Sequence, residues 1–186
     1  MTPSGELNSQ WAAAAPMIVG NHVIYAPSED QTLVCLRLND GGLVWEVPKD
    51  DGVYVAGAFE DRVVVVGKQR ILAIRISDVK TLWTTPIPEN DGRPSGYGVA
   101  VGDSYHLPLS SNQLWTVALS SGKVTARSFM PTGTPSLGNL GFYRGLLLSL
   151  GTDGLTAFEQ KAAVEQEIAL RKEKDPIDSW AMQREA

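Results

Sequence analysis

The chain has 186 residues, of which 43% are hydrophobic and 20% are charged, and its formal net charge is −5. This composition is typical of a soluble globular domain with its own core, and it excludes an intrinsically disordered chain. An acidic chain has no electrostatic reason to bind nucleic acid, and no run approaches the roughly 18 apolar residues of a membrane span. We therefore expect neither a nucleic-acid partner nor membrane insertion.

The first ten residues are polar and lack both the basic region and the apolar region of a signal peptide. We treat residues 1–12 as an N-terminal segment and expect no signal peptide in this chain. The sequence leaves open whether Met1 is the natural start, and with it the compartment in which the protein works.

Four apolar runs, each preceded by a turn pair such as Gly20-Asn21, predict the first of two central strands in four repeated units. Each is followed by a second apolar run. These second runs begin at Leu33, Ile71, Leu114 and Leu155, so that the steps between them are 38, 43 and 41 residues. A period of about 40 residues indicates one supersecondary unit repeated along the chain.

The runs are short, rich in Val, Ile, Leu and Tyr, and bounded by Gly, Asp, Asn and Ser, which predicts strands joined by tight turns. Each of the first three second runs leads through a further hairpin to an outer strand. The second runs end at Leu38, Ile76 and Leu119. Seven positions later in each unit the outer strand has Trp45, Trp83 and Ala126, respectively. The constant spacing indicates that the strand register is kept through the hairpin.

A stretch of small residues precedes each pair of apolar runs. These stretches are residues 12–15, residues 56–58, Gly96 with Gly98 and Ala100, and Gly138 with Gly141. Glycine weakens a strand interior unless another backbone must come close. We expect these stretches to form inner strands that converge on a shared axis. Four-stranded units of about 40 residues are the period of a β-propeller.

The order of residues within the units resembles the pyrroloquinoline-quinone-like (PQQ-like) repeat of β-propellers. The resemblance is carried by residues 21–25, 33–37 and 41–45, by residues 71–75 with Trp83, by residues 114–119 with 121–123, and by residues 145–158. It implies an all-β fold, a partial β-propeller of about four four-stranded antiparallel blades over residues 13–158. As a guide to fold the resemblance is specific, whereas it says little about function.

Members of this family include quinoprotein alcohol dehydrogenases, the outer-membrane assembly lipoprotein of the β-barrel machinery, and large planctomycete proteins with this propeller beside helical repeats. The last group looks closest, because the chain after Phe158 turns polar and rich in helix formers. Glu167 and Arg171 are spaced as a favourable helical pair, and Asp175-Pro176 ends or restarts the helix. Residues 159–186 are predicted to be a helical extension that resembles the start of a tetratricopeptide repeat. The alternative is a frayed C-terminal helix.

Propellers usually close at 4 to 8 blades, and members of the family resembled mostly have seven or eight. Four blades with a short helical tail therefore look like the C-terminal part of a longer protein. An open array would expose apolar faces and strand edges at both ends. We expect the isolated chain to pair with itself or to aggregate; the alternative is a closed ring of four blades.

Three acidic pairs stand at strand ends or turns, at positions 29–30, 50–51 and 60–61. Glycosidases and metal sites use such pairs, but acidic residues are also common in turns. Asp40 and Asp78 fall in the same register of two units, which indicates a hairpin role because an active site is needed only once. We expect no catalytic and no metal-binding residues among these groups.

The histidines, His22 and His106, are too far apart in sequence to form a zinc set with the single cysteine, Cys35. Neither histidine has a nucleophile elbow near it, so both are interpreted as structural. Cys35 lies in an apolar run and is interpreted as a buried small side chain.

For a quinone cofactor, the resemblance implies a Ca²⁺ ion, a catalytic Asp, an aromatic platform and a disulfide between adjacent cysteines. One cysteine cannot form that disulfide, and Trp115, a candidate platform, falls in a core position of its strand. We therefore expect no cofactor and no enzyme. The favoured function is a non-enzymatic scaffold that binds a protein or peptide; the alternative is a fragment of a PQQ-dependent quinoprotein dehydrogenase. By resemblance, the setting is the periplasm or the cell envelope.

Overall fold

The structure is a computed structural model that describes residues 15–27, 30, 32–131, 133–152 and 154–185. The described residues form four separate antiparallel sheets, each built from strands that are consecutive in the chain. Two short helices follow the last sheet. The prediction of a partial β-propeller of about four blades is confirmed.

The sheets are numbered as blades 1 to 4 in chain order. Blade 1 contains β1 (Met17–Val19), β2 (His22–Tyr25), β3 (Thr32–Arg37) and β4 (Leu43–Pro48). Blade 2 contains β5 (Gly52–Phe59), β6 (Arg62–Gly67), β7 (Arg70–Arg75) and β8 (Thr81–Pro86). Blade 3 contains β9 (Val99–Val101), β10 (Ser104–Pro108), β11 (Gln113–Ala118) and β12 (Val124–Phe129). Blade 4 contains β13 (Asn139–Tyr143), β14 (Leu146–Leu150) and β15 (Leu155–Glu159), which are its three strands within the described residues.

One backbone hydrogen bond recurs in every blade and shows that the repeat predicted from the sequence is structural. In each blade, the N–H of the residue directly after the third strand donates to a carbonyl of the turn between the first two strands. The donors and acceptors are Leu38 and Asn21, Ile76 and Asp61, Leu119 and Asp103, and Gln160 and Gly145, at 2.9, 2.7, 2.7 and 3.1 Å. The donors are spaced by the same 38, 43 and 41 residues as the predicted second runs.

The inner strands lie close to the predicted small-residue stretches. Strand β5 contains residues 56–58, while β9 and β13 contain Ala100 and Gly141. In blade 1 the inner strand lies slightly later than the small residues, at Met17–Val19, and residues 12–14 lie outside the described part of the chain. A Cβ added to Gly96 would meet the Gly138 carbonyl carbon at 2.4 Å, so two backbones do cross closely between blades 3 and 4.

Three buried clusters join the blades in sequence. The first joins blades 1 and 2 around Cys35 and Val63, and the second joins blades 2 and 3 around Ile71 and Trp115. The third, between blades 3 and 4, is smaller and is centred on Leu114, Leu137 and Leu147. The core is therefore a set of layers between neighbouring blades, as expected where each sheet is too small to bury its own faces.

The predicted helical extension is confirmed as two helices, α1 (Lys161–Lys174) and α2 (Ser179–Glu185). Arg171 forms the predicted ion pair with Glu167 at 2.8 Å, and its guanidinium lies 4.3 Å from the ring centre of Trp180 in α2. No helix of the described residues is long and apolar enough to cross a membrane.

Candidate functional site

Two of the acidic pairs singled out in the sequence lie beside arginines that begin strands of blade 2. Arg70 contacts Asp50 at 3.1 Å and Asp51 at 2.8 Å. Arg62 lies 3.7 Å from Glu60 and 3.3 Å from Asp61, and donates hydrogen bonds to two carbonyls of blade 3. These arrangements neutralise the acids and connect structural elements. In the remaining pair, at positions 29–30, Glu29 lies outside the described residues.

Asp40 and Asp78 make the same contacts in two successive blades. Asp40 accepts from the Gly42 N–H at 2.9 Å and pairs with Arg37, whereas Asp78 accepts from the Lys80 N–H at 3.2 Å and pairs with Arg75. Each aspartate thereby satisfies the backbone of its own hairpin, which is the behaviour expected of an Asx-type turn.

The two histidines lie in different blades and are not brought together. His22 begins β2 of blade 1, and His106 lies within β10 of blade 3. His106 is half-buried, with its Nδ1 3.2 Å from the hydroxyl of Thr116, and burial lowers the pKa of His106. Cys35 is fully buried in β3, and burial raises the pKa of its thiol. Among the described residues, no group of three His, Cys, Asp or Glu side chains is placed to hold a metal ion.

Trp115 lies in the layer between blades 2 and 3 and is 0% exposed. Its indole N–H donates to the Gln113 side chain at 3.2 Å, and the Arg127 guanidinium lies 4.3 Å from its ring centre. The interpretation of Trp115 as a core residue is confirmed. A ring with no exposed face offers no platform for a cofactor.

A group of tyrosines at the inner strands was not singled out from the sequence. The hydroxyls of Tyr54 and Tyr105 lie 3.1 Å apart, and the Gly98 N–H donates to the Tyr54 oxygen at 3.1 Å. The ring of Tyr97 packs against that of Tyr54 in a tilted arrangement, with the ring centres 4.6 Å apart. Burial raises the pKa of Tyr54 to about 12 and raises that of Tyr105 well above its usual value. The group is closed and neutral, and it joins blades 2 and 3.

The two ends of the blade array differ in the length of their connections. At one end, which we call the hairpin end, short turns such as 60–61 and 102–103 join the strands. At the other, the loop end, lie the two longest connections, residues 87–98 and 130–138. Hydrogen bonds tie the first of these to blade 3. The Arg93 N–H donates to the Ser110 hydroxyl at 3.0 Å, the Ser110 N–H donates to the Arg93 carbonyl at 2.8 Å, and the Ser95 N–H donates to the Pro108 carbonyl at 3.1 Å.

Two adjoining depressions of about 180 Å³ and about 430 Å³ lie at the loop end of blade 4. We call them together the blade-4 cleft; both are lined by Ser136, Gly151 and Thr152. Ser95 lines the larger one, and its hydroxyl is buried with no hydrogen-bond partner among the described residues. At the base, the Gly138 N–H donates to the Ser149 hydroxyl at 2.9 Å. The cleft is shallow, and its walls combine main-chain and hydroxyl groups with the apolar side chains of Leu150 and Leu155.

None of the residues of the cleft was named as a site from the sequence, apart from the inner-strand role given to Gly138. The cleft forms because residues 94–98 cross from blade 3 to the edge of β13, where the Leu140 N–H donates to the Tyr97 carbonyl at 2.7 Å. The available signal was the length of the two connections, since long loops often carry binding groups.

Comparison with known proteins places this geometry in a family. The sequence profile of the family described as outer membrane protein assembly factor BamB matches residues 4–141. A search of curated protein sequences finds no match to the chain.

Solved structures share the fold at low identity. BamB from Moraxella catarrhalis is 21% identical, with a TM-score of 0.57 over 78% of this chain and 44% of that chain. The computationally designed Ika4 protein is 13% identical, with a TM-score of 0.63 over 86% of this chain and 99% of that chain. The quinohemoprotein alcohol dehydrogenase ADHIIG from Pseudomonas putida HK5 is 14% identical, with a TM-score of 0.57 over 76% of this chain and 28% of that chain. The chain thus spans less than half of the BamB and dehydrogenase chains.

The profile match covers well over half of the 186 residues, and the matched residues that the structure describes form blades that pack face to face. The chain therefore belongs to the family of the outer membrane protein assembly factor BamB, which has PQQ-like repeats folded as a β-propeller.

Proposed function

We propose that this chain is a non-enzymatic scaffold that binds a protein or peptide segment at the blade-4 cleft. The family to which it belongs is described as an assembly factor for other proteins, which supports a role through protein contacts. The proposal extends that description to this chain, which spans 44% of the BamB structure it resembles.

The observation that carries the proposal is the hydroxyl of Ser95. Nearly all buried polar atoms in proteins have a hydrogen-bond partner, and an unpaired one calls for a water molecule or a ligand. The Ser95 oxygen is unpaired among the described residues and is buried directly behind the wall of the larger depression, which Ser95 lines. Rotation of the Ser95 side chain toward the cleft would let a peptide carbonyl or N–H supply the missing bond.

The shape and rigidity of the cleft fit an extended peptide. Its hydroxyl and main-chain groups can bind the polar backbone of a peptide, and Leu150 and Leu155 offer apolar contacts without forming a large side-chain pocket. The loop that contributes Ser95 is already held to blade 3 by backbone bonds, so little conformational entropy is lost on binding.

A site-specific photo-crosslinker placed at Ser136 tests the proposal in cells that naturally produce the protein. The matched control carries the same group at Ser121, an exposed serine in a turn of the hairpin end. We expect one defined protein to be crosslinked from position 136 and not from position 121. Equal adducts from both positions, or none from position 136, would show that the cleft is not the binding site.

A second variant, Ser95→Ala, separates binding from folding. It removes the unpaired hydroxyl, so the chain itself should be no less stable, because no bond of the described residues is lost. The yield of the adduct from position 136 should fall about tenfold, the loss expected for one hydrogen bond of about 1.4 kcal/mol. An unchanged yield would remove Ser95 from the site.

The alternative function, a fragment of a quinoprotein dehydrogenase, is favoured by the fold that the chain shares with ADHIIG. The described residues do not fit the cofactor: Trp115 has no exposed face and no set of three metal ligands is present among them. Adding the quinone with Ca²⁺ while following absorbance and melting temperature distinguishes the two functions. Under our proposal neither changes.

We also propose that the protein works in the cell envelope, because the family description names the outer membrane. Fractionation of native cells followed by immunoblotting tests this, with a cytoplasmic enzyme as the control. A chain found only with that enzyme would contradict it.

For the C-terminal extension we keep the proposal that α1 and α2 begin a tetratricopeptide-like helical region of the planctomycete type. The contact of Arg171 with Trp180 shows that the two helices pack on each other. Sequencing the gene beyond codon 186 tests this proposal. Further helix pairs at a period of about 34 residues would support it, and a stop codon would contradict it.

A further inference from the structure

Each blade packs on its neighbours through two different faces. We call the side chains that point to the next blade the forward face, and those that point to the preceding blade the backward face. Between blades 1 and 2, Ile24 and Cys35 of the forward face meet Val63 and Ile74 of the backward face in one buried cluster. The same arrangement recurs between blades 2 and 3 and between blades 3 and 4.

The forward face of blade 4 is built for such a contact but is uncovered. Leu33, Ile71 and Leu114 hold equivalent forward positions in blades 1 to 3 and are 2%, 0% and 7% exposed. Leu155 holds that position in blade 4 and is 65% exposed. Its cross-strand neighbour Leu150 is 56% exposed.

The backward face of blade 1 is likewise exposed. Val63, Tyr105 and Leu147 hold equivalent backward positions in blades 2 to 4 and are 0%, 1% and 1% exposed. Val23 holds that position in blade 1, and its cross-strand neighbour Ile18 is 67% exposed. The chain therefore ends in two apolar sheet faces, one of each kind, that no described residue covers.

We propose that two copies of this chain join head to tail, with the forward face of blade 4 in each copy on the backward face of blade 1 in the other. The exposed positions of both faces are equivalent, in strand register, to the positions that make the contacts between neighbouring blades inside the chain. The interfaces between two copies would therefore repeat the interface that already joins the blades. This face overlaps the blade-4 cleft, because Leu155 and Leu150 line its two depressions, so a second copy and a peptide in the cleft would compete for blade 4.

The number of copies follows from ring closure. A contact between two different faces repeats until the rotation closes, and propellers close at about 4 to 8 blades. Two copies of four blades reach the upper limit, whereas three copies would exceed it. The chain spans 44% of the BamB structure, so two copies approach the extent of that chain and one does not.

Sedimentation equilibrium of the 186-residue chain at tens of micromolar is the first test. We expect one species of twice the chain mass of 20.1 kDa. A monomer at this concentration would overturn the proposal. A series of growing assemblies would also overturn it, because the ring would then not close at two copies.

Two charge substitutions test which faces meet. Leu155→Arg changes the forward face of blade 4 and Ile18→Arg the backward face of blade 1; both side chains are exposed in the monomer, so folding is kept. An arginine buried without a partner in an apolar interface should weaken dimerisation at least about a hundredfold in each variant. The matched control is Leu170→Arg in α1, where a 52% exposed leucine lies on neither face.

Mixing the two variants completes the test. The unchanged blade 4 of the Ile18→Arg chain can still meet the unchanged blade 1 of the Leu155→Arg chain, so the mixture should form a heterodimer although neither variant dimerises alone. If Leu155→Arg is monomeric while Ile18→Arg remains a dimer, the two blade-4 faces meet each other and the proposal is overturned. It is equally overturned if both variants remain dimers.

Discussion

The indole N–H of Trp83, on the outer strand of blade 2, donates a hydrogen bond of 3.0 Å to the carbonyl of Leu119 in blade 3. Trp45 makes the same bond from blade 1 to the carbonyl of Ile76 in blade 2. The equivalent residue of blade 3 is Ala126, which has no indole. An outer-strand tryptophan therefore bonds blade 1 to blade 2 and blade 2 to blade 3, whereas Ala126 makes no such bond from blade 3 to blade 4.

The variant Trp83→Phe should therefore be less stable. It keeps an aromatic ring in the layer but removes the donor, so the Leu119 carbonyl is left with Arg62 as its remaining donor. We expect the free energy of unfolding to fall by about 0.5 to 1.5 kcal/mol, the net contribution of one hydrogen bond. Urea unfolding followed by circular dichroism measures it without relying on tryptophan fluorescence.

The control for that loss is Trp180→Phe. Trp180 lies in α2 and contacts the guanidinium groups of Arg171 and Arg184, away from the junctions between blades. Its replacement should change the stability of the blades by less than about 0.5 kcal/mol. Equal losses in the two variants would show that the indole bond between blades does not matter.

Two glycines of the predicted inner stretches, Gly96 in the connection before β9 and Gly141 in β13, should respond in opposite ways to alanine. At Gly96 a Cβ would stand 2.4 and 2.5 Å from the backbone carbonyl atoms of Gly138, so blades 3 and 4 must move apart. At Gly141 a Cβ would meet no atom within 4 Å. Gly96→Ala should cost at least about 2 kcal/mol, whereas Gly141→Ala should be neutral or add up to about 1 kcal/mol by restricting the unfolded chain.

The pair is its own control, because the residue change is the same and both glycines belong to stretches that the sequence marked as inner. Thermal unfolding of the two variants beside the unaltered chain provides the comparison. If both variants are equally destabilised, the cost comes from placing alanine in these inner stretches, and the close crossing of Gly96 with Gly138 is not its cause.

The repeat could be predicted from the sequence because its signals are local. The period of Leu33, Ile71, Leu114 and Leu155 depends on short apolar strands and on turns of a few residues, and each blade folds from consecutive strands. The positions of Trp45 and Trp83 followed from the same register. Strand and turn preferences act over such short distances, so the blade architecture was accessible from one chain.

The candidate site could not be predicted, because its contacts join distant segments. The hydroxyls of Tyr54 and Tyr105 meet across 51 positions of sequence, and the side chain of Asn139 accepts from the Tyr97 N–H across 42. The path of residues 94–98 along β13, which leaves Ser95 unpaired, depends on how two blades pack. Local pattern carries no information about such a crossing.

Cys35 should be inert to thiol reagents in the folded chain. It is 0% exposed in the layer between blades 1 and 2, and burial raises the pKa of its thiol, so the reactive thiolate is scarce. Reaction with Ellman's reagent should be at least about a hundredfold slower in the native state than in urea, and its rate should follow opening of that layer. A fast reaction without denaturant would show that blades 1 and 2 separate readily.

The Tyr54–Tyr105 pair should make stability fall in alkaline solution. Burial raises the pKa of Tyr54 to about 12, above its value of 10.0 in an exposed tyrosine, and that of Tyr105 moves in the same direction. Between pH 10 and about pH 12 the Tyr54 hydroxyl loses its proton in the unfolded chain but keeps it in the folded chain, so rising pH favours unfolding. Each such tyrosine reduces the free energy of unfolding by up to about 1.4 kcal/mol per pH unit, and its contribution is fully present below pH 10.

Urea unfolding at pH 8 and pH 11 tests the sign and its source. The loss between the two pH values should be smaller in Tyr54→Phe than in the unaltered chain, because one of the two buried hydroxyls no longer ionises on unfolding. Tyr143, whose ring is 58% exposed on blade 4, provides the matched control, since Tyr143→Phe should leave the loss unchanged. Identical losses in all three proteins would mean that other groups cause the alkaline instability, and the closed tyrosine group between blades 2 and 3 would then be open to water.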